Sequence, residues 1–202
     1  MPRDASVPPA QLARDLGRYK ALLQASKQQA SLVIGPDTAG TPSSTFVQPF
    51  VEALQPGVVD VLTWHFYYGP GSSRPHGLMA SAFSKPATLD RFLHAAKEAQ
   101  ELAATARSAG KIKELWVGET SSTYGGGTAN ASASFVAGFL WVDKLGLAAN
   151  LGQSVVCRIG ARRGGRIDTG AHTAGVRVLH CRKLLDAYTG RWRDACGAQH
   201  GG

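Results

Sequence analysis

Nowhere in the 202 residues do apolar side chains run for anything near the roughly eighteen positions that a membrane-spanning helix needs, so no transmembrane segment is expected. The opening stretch Met1-Pro2-Arg3-Asp4-Ala5-Ser6-Val7-Pro8-Pro9 lacks the apolar core of a signal peptide, and no secretory address is visible there. Cysteine is scarce. Cys157, Cys181 and Cys196 come late, are odd in number and show no C-x-x-C spacing, which leaves a disulfide framework or a thiolate metal centre without support. His65, His76, His94, His172, His180 and His200 never stand at a short metal-ligand spacing. Gly125-Gly126-Gly127 has neither the following Lys-Ser/Thr pair nor the G-x-G-x-x-G context of a phosphate loop, and no G-x-S-x-G elbow marks a serine nucleophile. Neither a metal nor a cofactor is therefore expected.

Acidic charge is also in short supply. The chain carries 14 Asp plus Glu against 22 Lys plus Arg, a net charge of +8. Residues 160 to 202 hold 8 of the basic residues against 3 acidic ones, so an anionic partner is favoured mainly by this end. What is abundant is apolar residue, 44% against 18% charged, enough for one globular domain with a sizeable core.

Strand-like and helix-like patterns alternate. Leu12, Leu16, Tyr19 and Leu23 recur at helical spacing, and Ser31 to Asp37 switches to a short apolar strand closed by turn residues. A helix is predicted around Thr45 to Leu54, with Pro49 in or near its first turn, then a strand from Val59 to Trp64. Residues 66 to 86 read as a long loop, of a length that needs a functional reason or signals disorder. A helix from Ala87 to Ala109, a strand from Lys113 to Gly118, a helix from Ala131 to Leu147 and a strand from Ser154 to Arg158 follow. The strands lack polar alternation, as parallel strands covered by helices do. Four such βα units fit an independent open sheet and half of an eight-stranded barrel equally. Residues 160 to 202 form a divergent basic tail, with the run Gly160-Ala161-Arg162-Arg163-Gly164-Gly165-Arg166 and a further helix predicted at Val176 to Tyr188.

In parallel βα architectures the carboxyl ends of the strands form the functional rim. The third strand delivers Glu119 there, where Thr120, Ser121 and Tyr124 are the neighbouring donors available to a dehydrated carboxylate. Such a Glu serves either catalysis or an ordinary rim salt bridge. The second strand delivers Trp64-His65-Phe66-Tyr67-Tyr68 to the same rim, as a sugar-binding surface or as an aromatic seal on the core. Asp37, after Gly35-Pro36, has ordinary turn composition. Asn130-Ala131-Ser132 matches the N-glycosylation acceptor pattern, a match frequent by chance.

Three blocks, Asp60-Val61-Leu62-Thr63-Trp64-His65-Phe66-Tyr67-Tyr68, Leu115-Trp116-Val117-Gly118-Glu119-Thr120-Ser121-Ser122-Thr123-Tyr124-Gly125-Gly126-Gly127 and Ala137-Gly138-Phe139-Leu140-Trp141-Val142-Asp143-Lys144-Leu145-Gly146-Leu147, together resemble the heparanase family along about residues 12 to 158. Its members are endo-β-glucuronidases that cut heparan sulfate. The resemblance implies an α/β fold, the C-terminal half of a (β/α)8 TIM barrel within about residues 10–159, with lysosomal and extracellular action on a sulfated glycosaminoglycan. It implies Glu119 as the nucleophile of a retaining glycoside hydrolase, with His65, Tyr67 and Tyr124 lining the cleft. The family's acid/base Glu lies in an Asn-Glu-Pro motif on the fourth barrel strand. That tripeptide does not occur here, and beyond Arg158 the family's course gives way to the Arg and Gly run. The expectation is a nucleophile without its proton donor, in a chain that is inactive alone and takes the first half of the barrel as partner. The competing expectation is a non-catalytic module that binds heparin or another polyanion. Nucleic acid is not expected, because the aromatics cluster with an acidic residue and do not interleave with Lys and Arg.

Overall fold

The computed structural model describes residues 7–39, 42, 45–159 and 177–180. In chain order they form α1 (Pro9–Gln24), β1 (Ile34–Gly35), α2 (Val47–Ala53), β2 (Val61–Phe66), α3 (Pro86–Ser108), β3 (Glu114–Thr120), α4 (Ala137–Asn150), β4 (Val155–Arg158) and β5 (Arg177–His180). Pro9 and Pro86 open their helices, where a missing N–H leaves no intrahelical bond unmade. The alternation expected over residues 10–159 is present, with boundaries moved by a few residues. The largest change is at α4, which begins six residues later than the apolar pattern predicts. Ser132 Oγ accepts the Thr128 N–H and Ser134 Oγ donates to the Ala131 carbonyl, so local side-chain bonds hold this stretch in turns.

The four strands β1 to β4 are parallel and lie side by side in sequence order. A doubly wound sheet reverses its strand order at a switch point and so places helices on both faces. No reversal occurs here, and right-handed crossovers then put α2, α3 and α4 on a single face. The arrangement is that of part of a (β/α) barrel. Among the described residues no helix is long and apolar enough to cross a membrane.

Trp64 of β2 stacks on Phe92 of α3 with ring centroids 5.9 Å apart and planes 9° apart. Phe66 meets Phe92 and Tyr68 edge-on. Leu62, Leu115 and Val117 join them beneath the helices, where Ala95, Ala96, Ala99, Ala103 and Ala106 of α3 let helix and sheet approach closely. Each aromatic pair contributes about 0.5–1.5 kcal/mol beyond the area it buries.

One expectation fails at the edge of this sheet. The helix predicted for Val176 to Tyr188 is replaced over Arg177–His180 by β5, which pairs antiparallel with β4 from Val155↔His180 to Arg158↔Arg177. The free edge of β4 offers unpaired N–H and C=O groups, and an extended segment satisfies them where a helix would not. The rest of that predicted helix, and the Arg162, Arg163 and Arg166 run, lie outside the described residues. The long loop after β2 is also more ordered than its length suggests. Past the strand ends, Tyr68 N–H donates to Ser122 O, Gly71 N–H to Tyr124 O and Tyr124 N–H to Gly69 O, at 2.8 to 3.1 Å. Pairing between β2 and β3 thus continues outward as a loop ladder, including a Pro70–Tyr124 bridge.

At the amino end of β2 the buried Asp60 carboxylate accepts bonds from Lys20 Nζ (2.7 Å), Lys113 Nζ (2.8 Å) and the Val33 N–H (3.0 Å), tying α1, β1 and β3 together. Burial alone would push this carboxyl up. The bonds from Lys113, Lys20 and Val33 outweigh it and hold Asp60 at about 2, against an ordinary 3.8. A folded value below the unfolded one stabilises above about pH 3.8, and this stabilisation is lost as pH falls towards 2. Asp60→Asn should therefore cost about 2 kcal/mol at neutral pH and flatten the acid limb of the stability curve below about pH 4, as urea midpoints across that range will register.

Candidate active site

Side chains on a strand alternate between its faces, and on β3 that rule misplaces the key residue. Leu115 and Val117 point into the core, so simple alternation would send Glu119 the same way. The register shows one extra residue: Trp64 pairs with Val117, but His65 pairs with Glu119, leaving Gly118 as a bulge. The bulge turns Glu119 onto the face away from the helices, beside His65, with 39% of its side chain exposed. Glycine fits the bulge because a Cβ there would stand 3.1 Å from Thr63 Cβ and 3.4 Å from Asp37 Oδ1.

Tyr67 Oη donates to Glu119 Oε1 at 2.6 Å. Burial first, then the bond to Glu119 and its negative charge, push the Tyr67 hydroxyl well up, so it remains a donor. His65 Nδ1 lies 3.8 Å from Glu119 Oε2, and its Nε2 lies 2.5 Å from Asp37 Oδ1. The Tyr124 ring stands edge-on to Tyr67 at 6.0 Å, itself 46% exposed. His65, Tyr67, Tyr124 and Glu119 thus converge at the carboxyl ends of β2 and β3. Asn130 sits apart, on an exposed turn before α4 with φ 56°. The remaining glutamates are away from this rim: Glu52 on α2, Glu98 and Glu101 on α3, and Glu114 at the opposite end of β3, bonded by Trp116 Nε1.

The donor anticipated from Thr120 goes elsewhere. Beyond the bulge Thr120 faces the helices, where its hydroxyl donates to the Phe66 carbonyl and accepts from Lys144 Nζ at 2.6 Å. Ser121 offers its carbonyl to the same amine at 2.8 Å. Two contributors went unread in the sequence. Asp37 looked like plain turn composition. Lys144 occupies the buried phase of α4 with Ala137, Leu140 and Ala148, and that spacing was its one available signal.

Residues 3–146 match the family model described as glycosyl hydrolase family 79, N-terminal domain. The chain belongs to glycosyl hydrolase family 79. Among curated relatives, rat (Rattus norvegicus) heparanase is 38% identical over 157 residues, covering 76% of this chain and 27% of the relative. The heparanase of Bos taurus is 36% identical over 152 residues, 73% of this chain and 26% of the relative. The hyaluronoglucuronidase of the leech Hirudo nipponia is 34% identical over 149 residues, 69% and 28% respectively. The chain spans about a quarter of the length of the curated relatives it matches.

Proposed function

We propose that this chain supplies the nucleophilic half of a retaining glycoside hydrolase acting on glucuronosyl linkages of a sulfated glycosaminoglycan, heparan sulfate first, in lysosomes and outside cells. The observation that carries the reading is the 2.6 Å Tyr67–Glu119 bond on an open rim, with Glu119 turned there by the Gly118 bulge. Tyr67 occupies Oε1 and leaves Oε2 free to attack the anomeric carbon, forming a glycosyl ester as the bond to the leaving oxygen breaks. The leaving oxygen of a natural glycan must take a proton in that step, from a second carboxyl about 5–5.5 Å from the first. No other glutamate of the chain stands at the carboxyl end of a strand, and the rim's further carboxylate, Asp37, is engaged at His65 Nε2, across the imidazole from Glu119, so this reading assigns the donor to the other part of the barrel. In this reading the four parallel strands are the C-terminal half of the (β/α)8 barrel, and a polypeptide bearing the first four completes the site. The names of the relatives support a glucuronoside substrate.

The missing donor defines the test. A dinitrophenolate leaving group needs no protonation, so dinitrophenyl β-glucuronide should transfer its glucuronosyl group to Glu119 of the purified chain and release dye, while heparan sulfate turns over little or not at all. Glu119→Gln should abolish the dye release, and mass spectrometry should place the adduct on Glu119. Dye release that survives Glu119→Gln, or an adduct elsewhere, would refute the nucleophile assignment. Substantial heparan sulfate cleavage that the mutation removes would refute the missing donor.

A further inference from the structure

Asp37 has no part in the attack just described, yet it reaches the site from a third strand. Its backbone N–H is anchored on Thr63 Oγ1 at 3.1 Å, and the absent Cβ of Gly118 leaves its carboxylate room over the bulge. Its Oδ1 then meets His65 Nε2 at 2.5 Å. The carboxylate is open to solvent, with 73% of its side chain exposed, but the imidazole it grips is only 11% exposed. Among the described residues, the charged groups beside that ring are Asp37 from the β1 end and Glu119 from the β3 end, one at each nitrogen.

A carboxylate accepts and cannot donate, so a nitrogen within hydrogen-bond reach of one must carry the proton; Asp37 meets that condition at Nε2 (2.5 Å), and Glu119, 3.8 Å from Nδ1, does not. Which imidazole nitrogen is protonated follows from the hydrogen bond that the other nitrogen leaves open. We propose that Asp37 is a positioning residue that takes the Nε2–H of His65 and so leaves Nδ1, the nitrogen beside Glu119, as the bare nitrogen of the ring. The Nδ1 lone pair then lies on the Glu119 side of the ring, next to the oxygen that Tyr67 leaves free. Without Asp37 the proton would divide between the two nitrogens, and its effect on Glu119 with it. The importance of this to catalysis rests on Glu119 being the functional carboxylate, but the tautomer itself does not.

Long-range proton–nitrogen NMR on the uniformly 15N-labelled full chain, in alkaline buffer, reads the tautomer directly. The wild type should show His65 with a protonated Nε2 and a bare Nδ1. Asp37→Ala should move the tautomer ratio about tenfold towards Nδ1–H, as loss of one charge-assisted bond predicts. Asp37→Glu should restore much of the wild-type ratio. Glu119→Gln should leave it unchanged, because the opposite carboxylate sets it. A wild-type Nδ1–H tautomer overturns the proposal even should Asp37→Ala fail to fold, and so does an unchanged ratio in a folded Asp37→Ala. None of these readings depends on turnover, so failure here and failure of the dinitrophenyl glucuronide assay are separate results.

Discussion

Gly71→Ala is expected to cost the fold about 2 kcal/mol and to open the rim that carries Tyr67 and Tyr124. A Cβ at position 71 would stand 2.2 Å from the carbonyl oxygen of Gly127 and 2.8 Å from its carbon. Both are backbone atoms, so no side chain can swing aside, and one of the two loops must move. Those loops are held by the Gly71 N–H bond to Tyr124 O, the Leu78 N–H bond to Pro70 O and the Thr128 hydroxyl bond to Leu78 O. Movement at Gly71 therefore pulls on Tyr124 directly. Gly125, Gly126 and Gly127 follow with φ of 73°, 100° and 82°, conformations that side chains with a Cβ rarely adopt, so the partner loop has little freedom to compensate. Limited proteolysis should nick residues 69–79 and 121–130 of Gly71→Ala much faster than those of the wild type. Gly138→Ala is the control of opposite sign: its Cβ meets nothing within 4 Å on α4, and the helix should gain about 0.5–1 kcal/mol. Equal proteolysis of Gly71→Ala and wild type would mean that the loops are not locked together at this contact.

Lys144→Ala should destabilise the protein by about 3 kcal/mol, while Lys144→Met should stay within about 1 kcal/mol of wild type. The side chain is buried among Phe66, Tyr68 and Phe92, its amine 4.7 to 5.7 Å from the three ring centroids. Alanine leaves a cavity lined by aromatic rings. Methionine fills the space and removes a desolvated amine, at the cost of the donors to Thr120 Oγ1 and to the Ser121 carbonyl. Burial first, then the nearby Arg158, pushes the Lys144 amine well below its ordinary 10.5, and Asp143 opposes them. The unfolded chain consequently binds more protons at this group than the folded one, so stability should rise with pH on the approach to 10.5. That rise should disappear in Lys144→Met. Denaturant midpoints at several pH values separate the outcomes, and equal losses for alanine and methionine would show that the hydrogen bonds matter more than the packing.

Lys144 also explains why the core side of the site was harder to read than its rim. A lysine inside an otherwise apolar helix face scans as a polar interruption. Only the bundle of rings under β2 shows that it has somewhere to put its amine. Asp37 is a second case of the same kind. Gly-Pro-Asp occurs in ordinary turns, and nothing local distinguishes a turn aspartate from one that reaches a histidine 28 positions away. The elements themselves were more legible. Leu12, Leu16 and Leu23 mark α1 by spacing alone, and the apolar runs around Val61, Leu115 and Val155 mark three of the parallel strands. The helix expected at Val176 to Tyr188 shows the limit of such patterns. A sheet edge in need of partners outweighs the local preference of four residues.

By itself the sequence determined the order of helices and strands over residues 10–159, the parallel character of β1 to β4 and the strand ends at which His65, Tyr67 and Glu119 stand. Each follows from local periodicity and from apolar runs too long for a sheet with one wet face. The direction in which Glu119 points was decided by the tertiary structure alone. Alternation along β3 would have buried it, and the single unpaired residue at Gly118 arises from register against β2, a relation between segments about 50 positions apart. The Asp37–His65–Glu119 row has the same origin. It joins three strand ends that only the pairing of β1, β2 and β3 brings side by side.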